Sequence, residues 1–442
     1  MTNSRLFPSA ADIDASTPAD RDRAIDVIRI AALVGVVAGH TIMATSVITD
    51  DVFHWGNLLT TSWIFQALTW VFQIMPLFFF AGVAASVNSY HPGSSWGGWL
   101  LKRCTRLYRP VFYYLAFWAA ALAVLSHLLP IHVYEPVAGI SIQLLWFLGA
   151  YVLVLAAVPL LTRITTTARL VTAVAATYGV IAVVDVVRID APGWSGLAWV
   201  NFTAWLIPGM LGVAYRRGLL RPRPALALGC AMFVVNVALH WFGPYQLSLV
   251  GIDADGVRNM TPPSLLLAGH AIMLCAFAIA AAPAITRWAA RPAVWRLAVI
   301  GNSGAMTLYL WHMPLLLGMH LAFDYLGLPR YPGQPHLVLL SIVQLAIMTV
   351  AMSVTFIALR PLENNPLPLW DGGFVPRPGL RSAAVGALLC IAGAATLASC
   401  AWGLKDQGLW CVAVLLTGLV AARALASAAL TTELPVSLCR TR

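Results

Sequence analysis

Apolar runs of roughly 20 residues recur along the whole chain, each long enough to cross a hydrocarbon layer about 30 Å thick as an α-helix. They fall near 25–48, 64–87, 109–128, 142–161, 168–187 and 197–215, then near 224–243, 264–286, 298–322, 336–359, 382–402 and 409–430. The pattern predicts an all-α polytopic membrane protein with about 12 transmembrane helices. Pro208, Pro283 and Pro314 occupy or adjoin spans and are expected to kink them. The longest connections, about twenty residues, are too short to bury a core of their own, and no internal repeat is visible.

Composition agrees with the pattern. Of 442 residues, 60% are hydrophobic and 10% charged, which excludes an ordinary soluble enzyme. The +10 net charge reports topology before anything else. Alternate connections are basic: Arg21 and Arg23; Lys102, Arg103, Arg106 and Arg109; Arg163 and Arg169; Arg216, Arg217, Arg221 and Arg223; Arg287, Arg291 and Arg296; Arg360, Arg377 and Arg381. The opposite set holds Arg188, Arg258, Arg330 and Lys405. An even span count with both termini in the cytoplasm fits this asymmetry, and nucleic-acid binding is not needed to explain the charge. Residues 1–24 lack an apolar core and read as a flexible cytoplasmic tail, not a signal peptide. The seven cysteines have no metal-ligand spacing; Cys400 and Cys411 flank one outer connection and would pair only across an oxidising face.

Ionisable residues inside spans are costly, and the first span carries three of them: Asp26, Arg29 and His40. Arg29 and His40 are eleven residues apart, three turns plus about 20°, so they share one face roughly 16 Å long. They either line a polar path or are satisfied by neighbouring helices, with Arg29 free to snorkel to the interface. His312, in Tyr309-Leu-Trp-His-Met-Pro314, lies at a depth similar to that of His40. The two histidines are thus able to meet, although His312 is equally suited to bonding a neighbouring helix at the Pro314 kink. Arg103 and Arg106, spaced i, i+3 beside Lys102, project together and suit phosphate, or simply the inner lipid surface. Asp185 and Arg188 read as a structural i, i+3 pair, and Trp146 as an interface anchor.

With those residues in view, the chain resembles the membrane acyltransferase-3 family. The resemblance rests on Arg29, ten intervening residues and His40, with Asp26 before them, and on Arg103-x-x-Arg106 ahead of the third span. Weaker matches are Pro76–Gly82, Trp146-Phe-Leu148, Tyr309-Leu-Trp-His312 and Arg360-Pro-Leu-Glu363, in the family's order over residues 20–365. It implies a ten-span acyltransferase domain over 25–365, followed by two additional spans and a short cytoplasmic tail in 366–442. No hydrolase-like domain of the kind some members carry at the C-terminus is recognisable.

The resemblance further implies transfer of an acyl group, commonly acetyl, from cytoplasmic acyl-coenzyme A to a hydroxyl of an envelope glycan, glycolipid or related carbohydrate. Under that reading Lys102, Arg103 and Arg106 bind the donor's phosphates. Arg29, oriented by Asp26, lines the approach, and His40 with His312 performs the chemistry as base or as acyl carrier. No metal is implied; the partners are membrane lipid, the carbohydrate acceptor and envelope-biosynthesis proteins, at the inner (plasma) membrane. A proton-coupled secondary transporter is the main alternative, since intramembrane Asp, Arg and His also build transport sites. A catalytically inert sensor, indifferent to loss of His40, is the other.

Overall fold

The computed structural model describes residues 7–60, 62–91, 93–252 and 256–428. Among them, 12 segments are helical, long and apolar enough to cross a membrane, and each coincides with a run expected from the sequence. The protein is an all-α polytopic membrane protein, and its departures from the expected boundaries are what shape the site.

The first span is helix α1 (Arg23–Met43), N-capped by Asp22, whose carboxylate accepts from Ile25 N at 3.2 Å. It stops short of the expected boundary because Ala44-Thr-Ser-Val-Ile-Thr49 is rich in β-branched residues and pairs as strand β1 (Ala44–Thr49) with β2 (Val52–Asn57). Asp50 and Asp51, both at positive φ, supply the tight two-residue turn. The second span is broken into Trp63–Phe72 and α2 (Met75–Ser86), with Pro76 in the first turn of α2. Helix α3 (Trp96–Leu128) begins thirteen residues before the expected start, at the Ser95 cap, so the whole basic cluster is helical. The fourth span contains α4 (Leu145–Ala156).

Further along, Pro292–Asn302 ends one turn before α5 (Ala305–Tyr325) begins. At the break, a Cβ on Gly304 would lie 2.4 Å from the Phe356 ring, so only glycine fits between α5 and helix α6 (Leu337–Asn364). Glu363, in the last turn of α6, accepts from the Thr307 and Met306 amides at 2.8 and 3.3 Å and caps α5. Two more spans follow, α7 (Leu380–Ser399) and α8 (Gln407–Leu425).

Helix α1 is central, packed against α2, Leu265–Ala289, Pro292–Asn302, α5 and α6. Thr167–Asp190, Pro222–Phe242 and α6 are largely exposed and apolar, the character of lipid-facing helices. The α7 helix is wedged against α3 and α4: a Cβ on Gly97 would lie 2.1 Å from Ser382 O, and one on Gly149 2.5 Å from Gly393 O. Backbones touch at both places, the small-residue packing by which membrane helices gain dispersion contact.

One sequence reading changes and two hold. The segment expected as a flexible tail contains a helix, Ala10–Ser16, with a Ser9–Asp12 capping box. Ile13 buries against Trp295 and Ala298, and Trp295 Nε1 donates to Thr17 Oγ1 at 2.8 Å, so an amphipathic turn is docked. Cys400 and Cys411 are free thiols. The Asp185–Arg188 pair, at 3.1 Å, is structural: Asp185 also accepts from Asn201, Tyr245 and the Leu265 amide.

Candidate active site

The site grows from the two polar positions of α1. At its start, Asp26 is buried and Arg29 partly so. Arg29 Nε donates to Asn302 Oδ1 at 2.7 Å, and Nη2 lies 3.5 Å from Asp26 Oδ1. Asn302 Nδ2 returns to Asp26 O and Ala298 O at 2.9 and 2.8 Å, so the broken end of Pro292–Asn302 locks the guanidinium in place. Arg21 forms a two-bonded pair with the same Asp26, at 2.5 and 3.0 Å. Arg29 Nη1 has no hydrogen-bond partner among the described residues, and it remains available to a ligand oxygen.

Three turns on, His40 Nδ1 lies 3.0 Å from His312 Nε2, so α1 and α5 bring together the two histidines. The rings are 18° from parallel with centroids 5.2 Å apart, which places the nitrogens end to end. Their tautomers follow from the neighbours. His312 Nδ1 is 3.2 Å from Leu308 O, which only accepts, so that nitrogen carries the proton. His312 Nε2 is then an acceptor, His40 Nδ1 the donor, and His40 Nε2 keeps its lone pair. His312 is fully buried whereas His40 is accessible, so the pair is reached from the His40 side. An accessible imidazole nitrogen with a second imidazole ready to stabilise its proton is suited to taking a proton or an acyl group.

The basic cluster on α3 divides in two. Arg103 is turned inward: it stacks on Trp99 at 3.7 Å, and donates to Ser86 Oγ, Trp99 O and Ser89 Oγ. Lys102 and Arg106 are exposed. Sequence spacing had put Arg103 and Arg106 together as a phosphate fork; here Arg103 ties α3 to the end of α2, and the exposed charges are its neighbours. Arg109 is internal too, paired with Asp371 and donating to Glu363 O at 2.8 Å.

Tyr151 of α4 lies near both Arg29 and Arg103. Its hydroxyl occupies the space a side chain at Gly82 would fill, 2.2 Å from that virtual Cβ. Phe79 and Phe147 flank it, and Phe147 in turn meets Phe78 and Tyr309. Trp146 packs edge-on against Phe147 and tilted against Trp205, within the protein rather than as an isolated interface anchor.

Sequence reasoning missed the groups that hold the far end of α1. Arg330, from the loop between α5 and α6, is 3% exposed. It donates to Thr41 O and Ala44 O at 3.2 and 2.8 Å, to Ile42 O, to Ser341 Oγ at 2.7 Å and to Gln344 Oε1 at 2.8 Å. A cation thus caps the carbonyl end of α1 within one turn of His40. Burial draws its pKa down to about 10, so it stays charged at physiological pH. Gln344 Nε2 continues to His320 Nε2 at 3.0 Å, His320 Nδ1 to Ser46 Oγ at 2.8 Å, and Ser46 to Asp324 at 2.7 Å. The one signal available was an arginine in one of the connections otherwise poor in them.

Residues 22–359 match the family model described as an acyltransferase domain. No curated protein and no solved structure matches the chain.

Proposed function

Because the chain belongs to the membrane acyltransferase-3 family and is an acyltransferase acting on groups other than aminoacyl, we propose that it moves an acyl group from acyl-coenzyme A to a hydroxyl of a carbohydrate-bearing acceptor at the plasma membrane. The observation that carries this reading is the His40–His312 pair, with the accessible His40 Nε2 at one end of α1 and the free edge of Arg29 at the other. Membership removes the transporter reading as the primary one, and the site's polar groups need no transport role.

The donor carries a pyrophosphate and a further phosphate and does not cross bilayers, so it enters at the basic face, with the N- and C-termini on the same, cytoplasmic side. Lys102 and Arg106 are exposed there for its phosphates, with Arg103 holding the helix that presents them. Arg29 Nη1 and Tyr151 lie further in, beside an aromatic group that suits the uncharged arm.

At His40, Nε2 removes the acceptor hydroxyl proton as the oxygen attacks the thioester carbonyl. The C–S bond breaks, the sulfur takes up the proton, and free thiol and acyl ester result. While His40 is protonated, its Nδ1–H bond to His312 Nε2 shares the charge. In the stepwise variant the same Nε2 accepts the acyl group first and passes it to the hydroxyl. Acetyl is the expected group, and an extracytoplasmic glycan or glycolipid the expected acceptor, since His40 lies in the half of the span away from the basic face.

The test is thiol release from acetyl-coenzyme A by protein in lipid, with a cell-envelope extract as acceptor. Wild-type release that disappears in His40→Ala, in a variant that still folds, supports the proposal. Equal release by both proteins, or none with donors of several chain lengths, rejects it.

A further inference from the structure

On the face of the protein where α1 ends, the β1–β2 hairpin, the residues preceding Leu265–Ala289 and the α5–α6 loop enclose a cavity of about 370 Å³. Its walls include Ser46, His54, Trp55, Asn57, Arg330 and Tyr331. The volume is within the range of small-molecule sites. Among the described residues no carboxylate lines it, and the guanidinium that does, on Arg330, is consumed by carbonyls and side chains of the protein itself. What remains for a ligand is neutral: hydroxyls, an amide, an imidazole and two aromatic rings. Flat apolar faces bordered by hydrogen-bonding edges match a ring that carries C–H groups on its faces and hydroxyls around its rim.

We propose that this cavity binds one sugar ring of the acceptor, with Trp55 as its platform. The inference rests on the reading of a carbohydrate acceptor and specifies where it is held and how long it is. The floor is rigid, because Ser46 is 2% exposed and is joined to His320, to Asp324 and, by two backbone bonds of 2.8 and 3.1 Å, to Arg330. Trp55, directly across the hairpin from Ser46, is fixed edge-on to His320 at 5.1 Å. Distance then sets acceptor length. His320, which touches the floor, lies eight residues beyond His312 on α5, about 12 Å along the axis. A ring seated in the cavity is therefore not the ring acylated at His40. The acceptor spans both places and contains two or more linked sugars, and the cavity reads the sugar neighbouring the one that reacts.

Calorimetric titration of the full-length protein in lipid nanodiscs, without donor, tests this with glucose, trehalose, maltotriose and cellotriose. At least one oligosaccharide is expected to bind ten-fold or more tightly than glucose. Trp55→Ala should weaken it at least ten-fold. Trp55→Phe and Tyr331→Ala, each checked by thermal melting, guard against loss of fold: the first should retain most affinity and the second lose part. Absence of binding by every oligosaccharide, or binding indifferent to Trp55 and Tyr331, overturns the proposal. Because no donor is present, sugar binding without thiol release would sink the catalytic reading and leave this one standing; His40-dependent transfer indifferent to Trp55 would do the reverse.

Discussion

The two ends of α1 are built from different chemistry although eleven residues separate their key side chains. At the start, Arg29 sits among an acid, an amide and a second arginine, with one guanidinium edge unspent. At the other end the partner of His40 among the described residues is a buried imidazole, and the Arg330 guanidinium is bound to the Thr41 and Ala44 carbonyls. A carboxylate and an amide beside a guanidinium hold it oriented, as anion recognition requires. An imidazole whose other nitrogen donates to a second imidazole keeps a lone pair at its free nitrogen, as proton abstraction requires. Under the proposed mechanism, one helix then offers a cation to the donor and a lone pair to the reaction.

The largest effect should come from removing that lone pair. His40→Ala is expected to lower kcat by about 10²–10⁴-fold, with little change in melting temperature. His312→Phe keeps the volume but removes the acceptor of His40 Nδ1–H, so a smaller kcat loss of roughly 10–100-fold is expected. A His312→Phe enzyme as dead as His40→Ala would mean that the buried ring, not the accessible one, carries the chemistry.

The comparison also predicts unequal structural roles. Arg330→Met leaves the Thr41, Ile42 and Ala44 carbonyls without their donor, and should cost about 3 kcal/mol of stability, read by chemical or thermal unfolding in lipid. Its kcat should fall while the donor KM stays put, because only the His40 end of α1 moves. Arg330→Lys, which supplies charge but not five donors, should recover part of the stability. An equal rise in donor KM would break the separation between the two ends.

The fold was legible to the extent that it is a matter of hydrophobic length. All of the expected spans are present, because a run of about 20 apolar residues has no other solution in lipid. What the pattern did not show was where spans break. The hairpin opens on Ala44–Ile48, which continues the apolar run of the helix before it, and the gap at Ser303–Gly304 is filled by Phe356, more than 50 residues away. The pairing of His40 with His312 was visible as equal depth on two spans. Arg330 was not visible, since nothing local distinguishes a capping arginine from a loop arginine.

The region after residue 359, outside the family match, taught the same lesson. Sequence reading made α7 and α8 additions to a ten-span core. In the structure Ser382 Oγ accepts from Ser95 and the Gly97 amide, at 3.0 and 2.9 Å, at the very start of α3. Arg423 of α8 donates to Trp370 O and Asp371 O at 2.9 and 3.1 Å, bracing the partner of Arg109. Glycines at 97 and 149 were readable as small residues, but their backbone partners were not. Gly149→Leu should therefore lower the yield of folded protein, measured by size-exclusion chromatography, although no reacting group is touched.

The smallest effects are expected at Arg29 and Arg106. Arg29→Lys keeps a cation yet cannot hold Asn302 and Asp26 while offering a free edge, so a donor KM increase of about ten-fold is expected. For Arg106→Ala, which removes an exposed charge, the increase should be about three-fold. Salt separates the two. Raising ionic strength should erase most of the Arg106 effect, because exposed charges are screened within about 8–10 Å. The Arg29 effect should persist, since its partners are partly buried and its geometry is fixed by Asn302. If both effects vanish together in salt, Arg29 acts as a surface charge, and the contrast between the two ends of α1 reduces to the histidine pair alone.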